Sequence, residues 1–402
     1  MATIQLPRNV HFIYEHSLAH LELTQGYRLS PKWDMADPWK MTAPLNGEAA
    51  EILERAAYVG SIDGQESVYS QLVRPSYRGG EFNRTRSENQ YLTHWIYPYK
   101  GKFHPQMVRA ILNILGARPG WTVLDPFSGS GTTVLECQLL GVDAIGVEIS
   151  PLCAMLARVK TQSWCHAQAI AAAVQALTRE EAADPERVSA SQWQPREVAD
   201  FVEIARMVTF SDVSRRRRRA DVYFGRNLRA MLQSVEDMAR AIERFQVTPG
   251  RVDVHDGDCR DLASLGIGPG SIDAVVTSPP YSIALDYVEN DEHALRAMGL
   301  DTDRIRERFI GVRGTGATQK AALYQDDMRH VLSELARVLR PAGHAVVVIG
   351  NATIQHRECL TTEHLIEWAE RVGLRLVRQM PKIVWGLYNL VKDEKILFFR
   401  RD

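Results

Sequence analysis

Two short segments hold residue types in an order that can do chemistry. In Ser278-Pro279-Pro280-Tyr281, two consecutive prolines lack N–H groups and fix φ, so a rigid turn sets a hydroxyl beside carbonyls that no neighbouring N–H need claim. Such acceptors can bind the hydrogens of an exocyclic amine, draw its lone pair out of ring conjugation and aim it at an electrophile. The ring of Tyr281 could then stack on the face of the base. A Pro-Pro-Tyr triplet anywhere in a chain is more often a strand terminator over a buried tyrosine. Here it follows the apolar run 272–277, which reads as a buried strand, and this favours the functional reading.

The second segment is Asp125-Pro126-Phe127-Ser128-Gly129-Ser130-Gly131-Thr132, between the apolar run 122–126 and a helical pattern over 132–140. Gly129 and Gly131 let the backbone turn sharply and approach a ligand, and the N–H groups opening the helix can receive a polar or anionic group. Asp125 ends its strand at the side of an open α/β sheet where ligands bind. A strand-to-helix turn also carries glycine for geometry alone. Against that plain reading stands Glu148, which ends the next apolar run, 144–149, where an acid commonly meets ribose hydroxyls. With no Gly-x-Gly-x-x-Gly and no Gly-Lys-Ser/Thr, an adenosine-containing cofactor without a triphosphate fits best.

The elements that must position these turns follow from periodicity. Helical patterns cover 105–115, 132–140, 323–339 and 362–372, and buried-strand patterns cover 122–126, 144–149, 252–255, 272–277, 344–349, 374–384 and 395–400. Their alternation implies a mostly parallel sheet covered on both faces, and the last two strands, with no helix between them, must run antiparallel. Residues 161–245 form a helical insertion, and 1–90 form an extension of mixed pattern with a helical stretch over 47–58. The catalytic domain is therefore expected at 91–160 and 246–402.

With those elements in place, the two motifs resemble the cofactor and catalytic motifs of the amino-methylating DNA methyltransferases, which have the class I S-adenosylmethionine-dependent fold. That fold is an α/β, doubly wound, seven-stranded sheet with its last strand antiparallel. Tyr97-Pro98-Tyr99-Lys100-Gly101-Lys102-Phe103-His104-Pro105 resembles the family's segment at the methionine end of the cofactor, and Gly257-Asp258 its acidic position at the adenine ring. The resemblance spans roughly 91–160 and 250–402 and implies S-adenosyl-L-methionine as cofactor. It implies Lys102, Phe103, His104, Asp125, Pro126, Phe127, Ser128, Gly129, Gly131, Thr132, Glu148, Ile149, Asp258 and Cys259 as the residues around it. Ser278 and the Pro279 carbonyl would orient the amine of a flipped-out base, Pro280 would stiffen the turn, and Tyr281 would stack. In this family Ser preceded by Thr goes with cytosine N4, and Asp or Asn with adenine N6, so Thr277-Ser278 points to cytosine. N6-adenine methylation, methylation of an RNA base and an inactive DNA-recognition subunit stand as the alternatives.

Double-stranded DNA is the expected partner. The net charge of −1 over 402 residues excludes a uniformly basic surface but not a local cleft. Between Arg196 and Arg229 nine arginines face five acids, a local +4, and Arg215, Arg216, Arg217, Arg218 and Arg219 could meet several phosphates. Residues 281–325 form a second candidate, a long, glycine-bearing connection whose Arg313 could follow the DNA backbone. Five cysteines without a CxxC pair or metal spacing predict reduced thiols, no metal site and a cytoplasmic protein, nucleoid-associated in a prokaryote. Neither a membrane span nor a signal pattern is seen. A monomer or homodimer, with or without a cognate restriction endonuclease, fits the resemblance.

Overall fold

The structure, a computed structural model, describes every residue except 190–191, 281–284, 355–356 and 386–390, with backbone alone at 352–354, 357–359, 384–385 and 391–393. Its first strands, β1 (Ala2–Gln5), β2 (Lys32–Trp33), β3 (Lys40–Ala43), β4 (Ser61–Ile62) and β5 (Gln65–Glu66), form a small sheet in the order β2-β3-β1-β4-β5. Strands of two to four residues are too short to show a two-residue period, which is why the sequence pattern gave only the helix, found at Ala49–Arg55.

The large sheet holds the next four strands, β6 (Thr122–Asp125), β7 (Asp143–Glu148), β8 (Val252–Asp256) and β9 (Ile272–Thr277), together with β10 (Leu339–Gly350). After the two-stranded excursion β11 (Ala352–Ile354) and β12 (Arg357–Cys359), it is completed by β13 (Leu374–Trp385) and β14 (Val391–Arg401). The order is β13-β14-β10-β9-β6-β7-β8. Neighbours from β10 to β8 pair parallel, and β14 runs antiparallel between β10 and β13. This is the seven-stranded sheet of a class I methyltransferase. Order reverses between β6 and β9, where the crevice of such a sheet lies.

The helix Pro105–Leu115 leads into β6; proline occupies its first turn, where no donor is missed, and Gly116 ends it at φ 73°. Its apolar face joins the core of the N-terminal sheet to that of the large sheet, with Ile4, Leu18 and Ile52 in one cluster with Met107, Ile111, Val276 and Val346. A buried carboxylate reinforces the junction. Glu22 accepts hydrogen bonds from the N–H groups of Ala57 (2.8 Å) and Tyr58 (2.9 Å) and from Asn113 Nδ2 (2.7 Å).

Between β7 and β8 the chain is mostly helical, with a non-helical stretch after Ala183 that leads into the long pair Arg196–Arg216 and Ala220–Arg244. In its described part, the segment expected as a glycine-mobile connection after β9 instead holds helices Tyr287–Ala297 and Thr302–Arg308 and the first turns of Gly316–Val338. The physical reason is capping. Asp286 Oδ1 accepts from the Glu289 N–H at 2.9 Å, and Asp301 Oδ1 from the Asp303 and Arg304 N–H groups at 3.0 and 3.2 Å. Among the described residues no helix is long and apolar enough to cross a membrane, and no group of three or more His, Cys, Asp or Glu side chains is arranged to hold a metal.

Candidate active site

The carboxyl ends of β6, β7 and β9 and the chain following β8 converge on a cleft with about 730 Å³ of empty space. Asp125, buried at the end of β6, accepts on Oδ1 from Thr277 Oγ1 (2.6 Å) and from the Phe127 N–H (3.2 Å). The Gly-rich turn is thus tied by one short hydrogen bond to the residue just before Ser278. Burial pushes the Asp125 carboxyl up to about 6, while its hydrogen bonds favour the charged form. Glu148 at the end of β7 takes the Gly129 N–H on one oxygen (2.7 Å) and the Ser150 N–H on the other (2.9 Å), and burial pushes it up to about 7.

Both glycines of the turn are demanded by geometry. Gly129 has φ 49°, and a Cβ on it would stand 3.2 Å from the Tyr99 ring; Gly131 has φ 80°, and its Cβ would lie 2.8 Å from Ala157 Cβ. A third constraint lies below the turn, where the buried Lys160 Nζ donates to the Ser130 carbonyl at 2.9 Å.

Of the residues expected around a cofactor, Lys102, Phe103, Asp125, Pro126, Phe127, Ser128, Gly129, Thr132, Glu148, Ile149, Asp258 and Cys259 line the cleft, together with Ser278 and Pro280. Two of that set, and Pro279 of the catalytic turn, are absent from its lining. His104 is the N-cap residue of the helix Pro105–Leu115, its ring pushed down to about 3 by burial. Gly131 packs on Ala157 behind the turn. Pro279 is buried beside the lining. Tyr281 lies outside the described residues. Lys102 contributes its stem, since its ammonium donates to the carbonyls of Asn89 (3.1 Å) and His94 (2.7 Å). Asp258 is held by Arg260 through contacts that include Arg260 Nε at 2.9 Å, and Arg260 in turn reaches Asp327 Oδ1 at 2.7 Å.

Sequence reasoning missed the aromatic wall. Tyr287 stacks between Tyr99 (6.1 Å between centroids) and Phe309 (5.9 Å), and all three line the cleft with Gly101, Ser130, Gly257, Arg308 and Ile310. Tyr99 lay in a segment already singled out, and the short apolar run 309–310 within a polar stretch was a readable signal. The wall is braced by Tyr97, at φ 66°, whose hydroxyl donates to Asp291 (2.7 Å).

Two expected phosphate contacts are corrected. Arg215 turns inward, donating to the Pro98 carbonyl (2.9 Å), the Asn290 carbonyl and Asp291 Oδ1 (2.9 Å). Arg313 makes a two-pronged pair with Asp327, which is buried (2.6 and 2.8 Å). A buried carboxylate demands a partner, so both guanidinium groups are committed inside the fold. Residues 216–219 are exposed.

The cleft fits S-adenosylmethionine on its own evidence. The hydroxyls of Ser128, Ser130 and Thr132 are buried on its walls with no hydrogen-bond partner among the described residues, as polar groups waiting for a polar ligand would be. Glu148 stands where ribose hydroxyls could donate to it, and the apolar Ile149, Phe309 and Ile310 offer a surface for a flat ring.

Sheet order, turn and cleft together define a class I methyltransferase. The family model described as DNA methylase, for N6 and N4 methyltransferases, matches residues 33–157 and 272–396, passing over the insertion, and the chain belongs to that family. A second model, described as RMKL-like methyltransferase domain, matches 96–308. The chain is similar to Type II methyltransferase M.MjaII of Methanocaldococcus jannaschii, 45% identical over 71 residues, covering 18% of this chain and 13% of the relative. It is similar to Type II methyltransferase M.BsoBI of Geobacillus stearothermophilus, 41% identical over 95 residues, 24% of this chain and 17% of that one. It also resembles the tRNA (guanine(10)-N2)-dimethyltransferase of Methanothermobacter thermautotrophicus, 28% identical over 118 residues, 29% of each. The chain thus spans less than a third of the length of each of these relatives.

Proposed function

We propose that the protein methylates an exocyclic amine of a base in DNA, cytosine N4, with S-adenosylmethionine as donor. When bound, S-adenosylmethionine supplies a sulfonium-activated methyl group.

The observation that carries the reading is the state of Ser278. Its hydroxyl donates to the Val348 carbonyl at 3.0 Å, so its proton is committed and toward a substrate the oxygen acts as an acceptor. An acceptor of this kind suits an amine, which brings two donors and gains positive charge during transfer. The Pro279 carbonyl is assigned as the second acceptor, whereas that of Pro280 is engaged by the Tyr324 hydroxyl at 2.8 Å. Through Thr277 the same turn is fixed to Asp125 and so to the cofactor loop, which sets amine and methyl donor in one frame. Tyr281 is assigned to stack on the base. Asp125, Glu148 and Asp258, with Phe103 at the methionine end, are assigned to hold the cofactor.

Methylation of an RNA base is the second reading, favoured by the similarity to the tRNA methyltransferase. Transfer of labelled methyl to unmodified genomic DNA and to unmodified tRNA separates the two. The proposal expects label in DNA, and Ser278→Ala to lose on the order of a hundredfold in kcat with cofactor affinity retained. Label in tRNA alone, or full activity of the variant, would overturn it.

A further inference from the structure

The insertion between β7 and β8 carries five consecutive arginines, 215–219, and only the first has an evident place inside the fold. Residues 217–219 form the turn between helices Arg196–Arg216 and Ala220–Arg244, and Arg217 there has φ 53°, a conformation that favours glycine. Four adjacent like charges repel one another, and a helix hairpin needs none of them.

Pairing shows where the surplus lies. Of the nine arginines between 196 and 229, five are paired: Arg196 with Asp200, Arg206 with Glu203, Arg215 with Asp291, Arg216 with Asp212 and Arg219 with Asp221. Arg217, Arg218, Arg226 and Arg229 have no ion pair among the described residues, and all four are exposed. The rings and guanidinium groups hold part of this set together, because Tyr223 has Arg218 at 5.2 Å and Arg226 at 5.5 Å from its centroid.

Arg215 fixes the turn beside the cleft. Its carbonyl partner Pro98 adjoins Tyr99 of the cleft wall, and its partners Asn290 and Asp291 lie in the first turns of the helix opened by Tyr287, another wall residue. The inward arginine thus anchors the turn that carries Arg217 and Arg218 beside the cleft wall, with Arg226 joined to Arg218 through Tyr223.

We propose that Arg217 and Arg218, with Arg226 and Arg229, hold the phosphate backbone of duplex DNA beside the cleft, so that the target base reaches Ser278. The inference rests on the reading of this protein as a DNA methyltransferase and locates its DNA-backbone contact in the helical insertion. A regularly spaced polyanion is the partner suited to several exposed guanidinium groups on a chain of net charge −1.

The test is duplex affinity against salt for the full chain, using a 30-base-pair duplex, with cofactor affinity measured alongside. Each lost phosphate contact should lower the log–log salt slope by about 0.9, so Arg217→Ala/Arg218→Ala should reduce it by roughly 2. Arg217→Lys/Arg218→Lys should restore most of the slope. Arg371→Ala/Arg375→Ala, at the opposite end of the sheet, should leave it unchanged. An unaltered slope in the alanine variant, with tight duplex binding by the native protein, would overturn the proposal and leave the enzymatic reading standing. Native protein that binds hairpin RNA and no duplex would overturn both.

Discussion

Glu148 is the residue whose titration reports most directly on the cleft. Buried and raised to about 7, it loses charge as pH falls through that value, and the charged form is the one that ribose hydroxyls would favour by donating to it. Cofactor affinity should therefore be flat above pH 7 and weaken by up to about tenfold per unit below it. Calorimetric titration checks this, and Glu148→Gln should bind weakly with no such slope. Thr277 makes a second prediction. Thr277→Val removes the 2.6 Å donor from Asp125 and leaves a buried carboxyl short of a partner, at about 1–3 kcal/mol in urea denaturation. Asp125, Glu148 and Ser278 were legible in the sequence because each ends a strand pattern at a turn of unusual composition. Tyr287 and Arg308 were not, because they come to the cleft on helices packed from outside the sheet, and no local period encodes that approach.

At the scale of elements, the Gly-rich turn is held from three sides: Asp125 to Thr277, Glu148 to Gly129, and Lys160 to Ser130. Gly131 is where this packing is least forgiving. Gly131→Ala would meet Ala157 Cβ at 2.8 Å and adopt φ 80°, so it should cost about 2 kcal/mol or more of stability and weaken cofactor binding. Thermal unfolding with and without cofactor measures both. The strand patterns placed β9 with its observed bounds, 272–277, and the helix 105–115 likewise, because a buried strand and a proline-started, glycine-stopped helix are strong local signals. Within the stretch read as a long connection, 287–297 and 302–308 are helical rather than loop. Three glycines and many charges suggested mobility, while the capping roles of Asp286 and Asp301 depended on helices too polar to announce themselves by period.

For the whole molecule, the N-terminal sheet shares a core with the catalytic sheet, and the chain should unfold in one transition by circular dichroism and by tryptophan fluorescence. Glu22→Ala would strand the N–H groups of Ala57 and Tyr58 and should lower stability by about 3 kcal/mol, with Glu22→Gln losing less because burial already disfavours the charge. Two separate transitions in the native protein would contradict the shared core. The doubly wound sheet was legible from alternation of strand and helix patterns; the way 1–62 docks was not, because its strands are short and its partners distant in sequence. The central claim, that this fold presents an amine acceptor at Ser278 beside a methyl donor, is tested most directly by the base it modifies. Unmodified DNA should be incubated with the protein and S-adenosylmethionine, digested to nucleosides and analysed by mass. N4-methylcytosine is the expected product, lost in Ser278→Ala. N6-methyladenine would contradict the assignment of cytosine, and unmodified nucleosides throughout, from protein that binds the cofactor, would contradict the role given to Ser278.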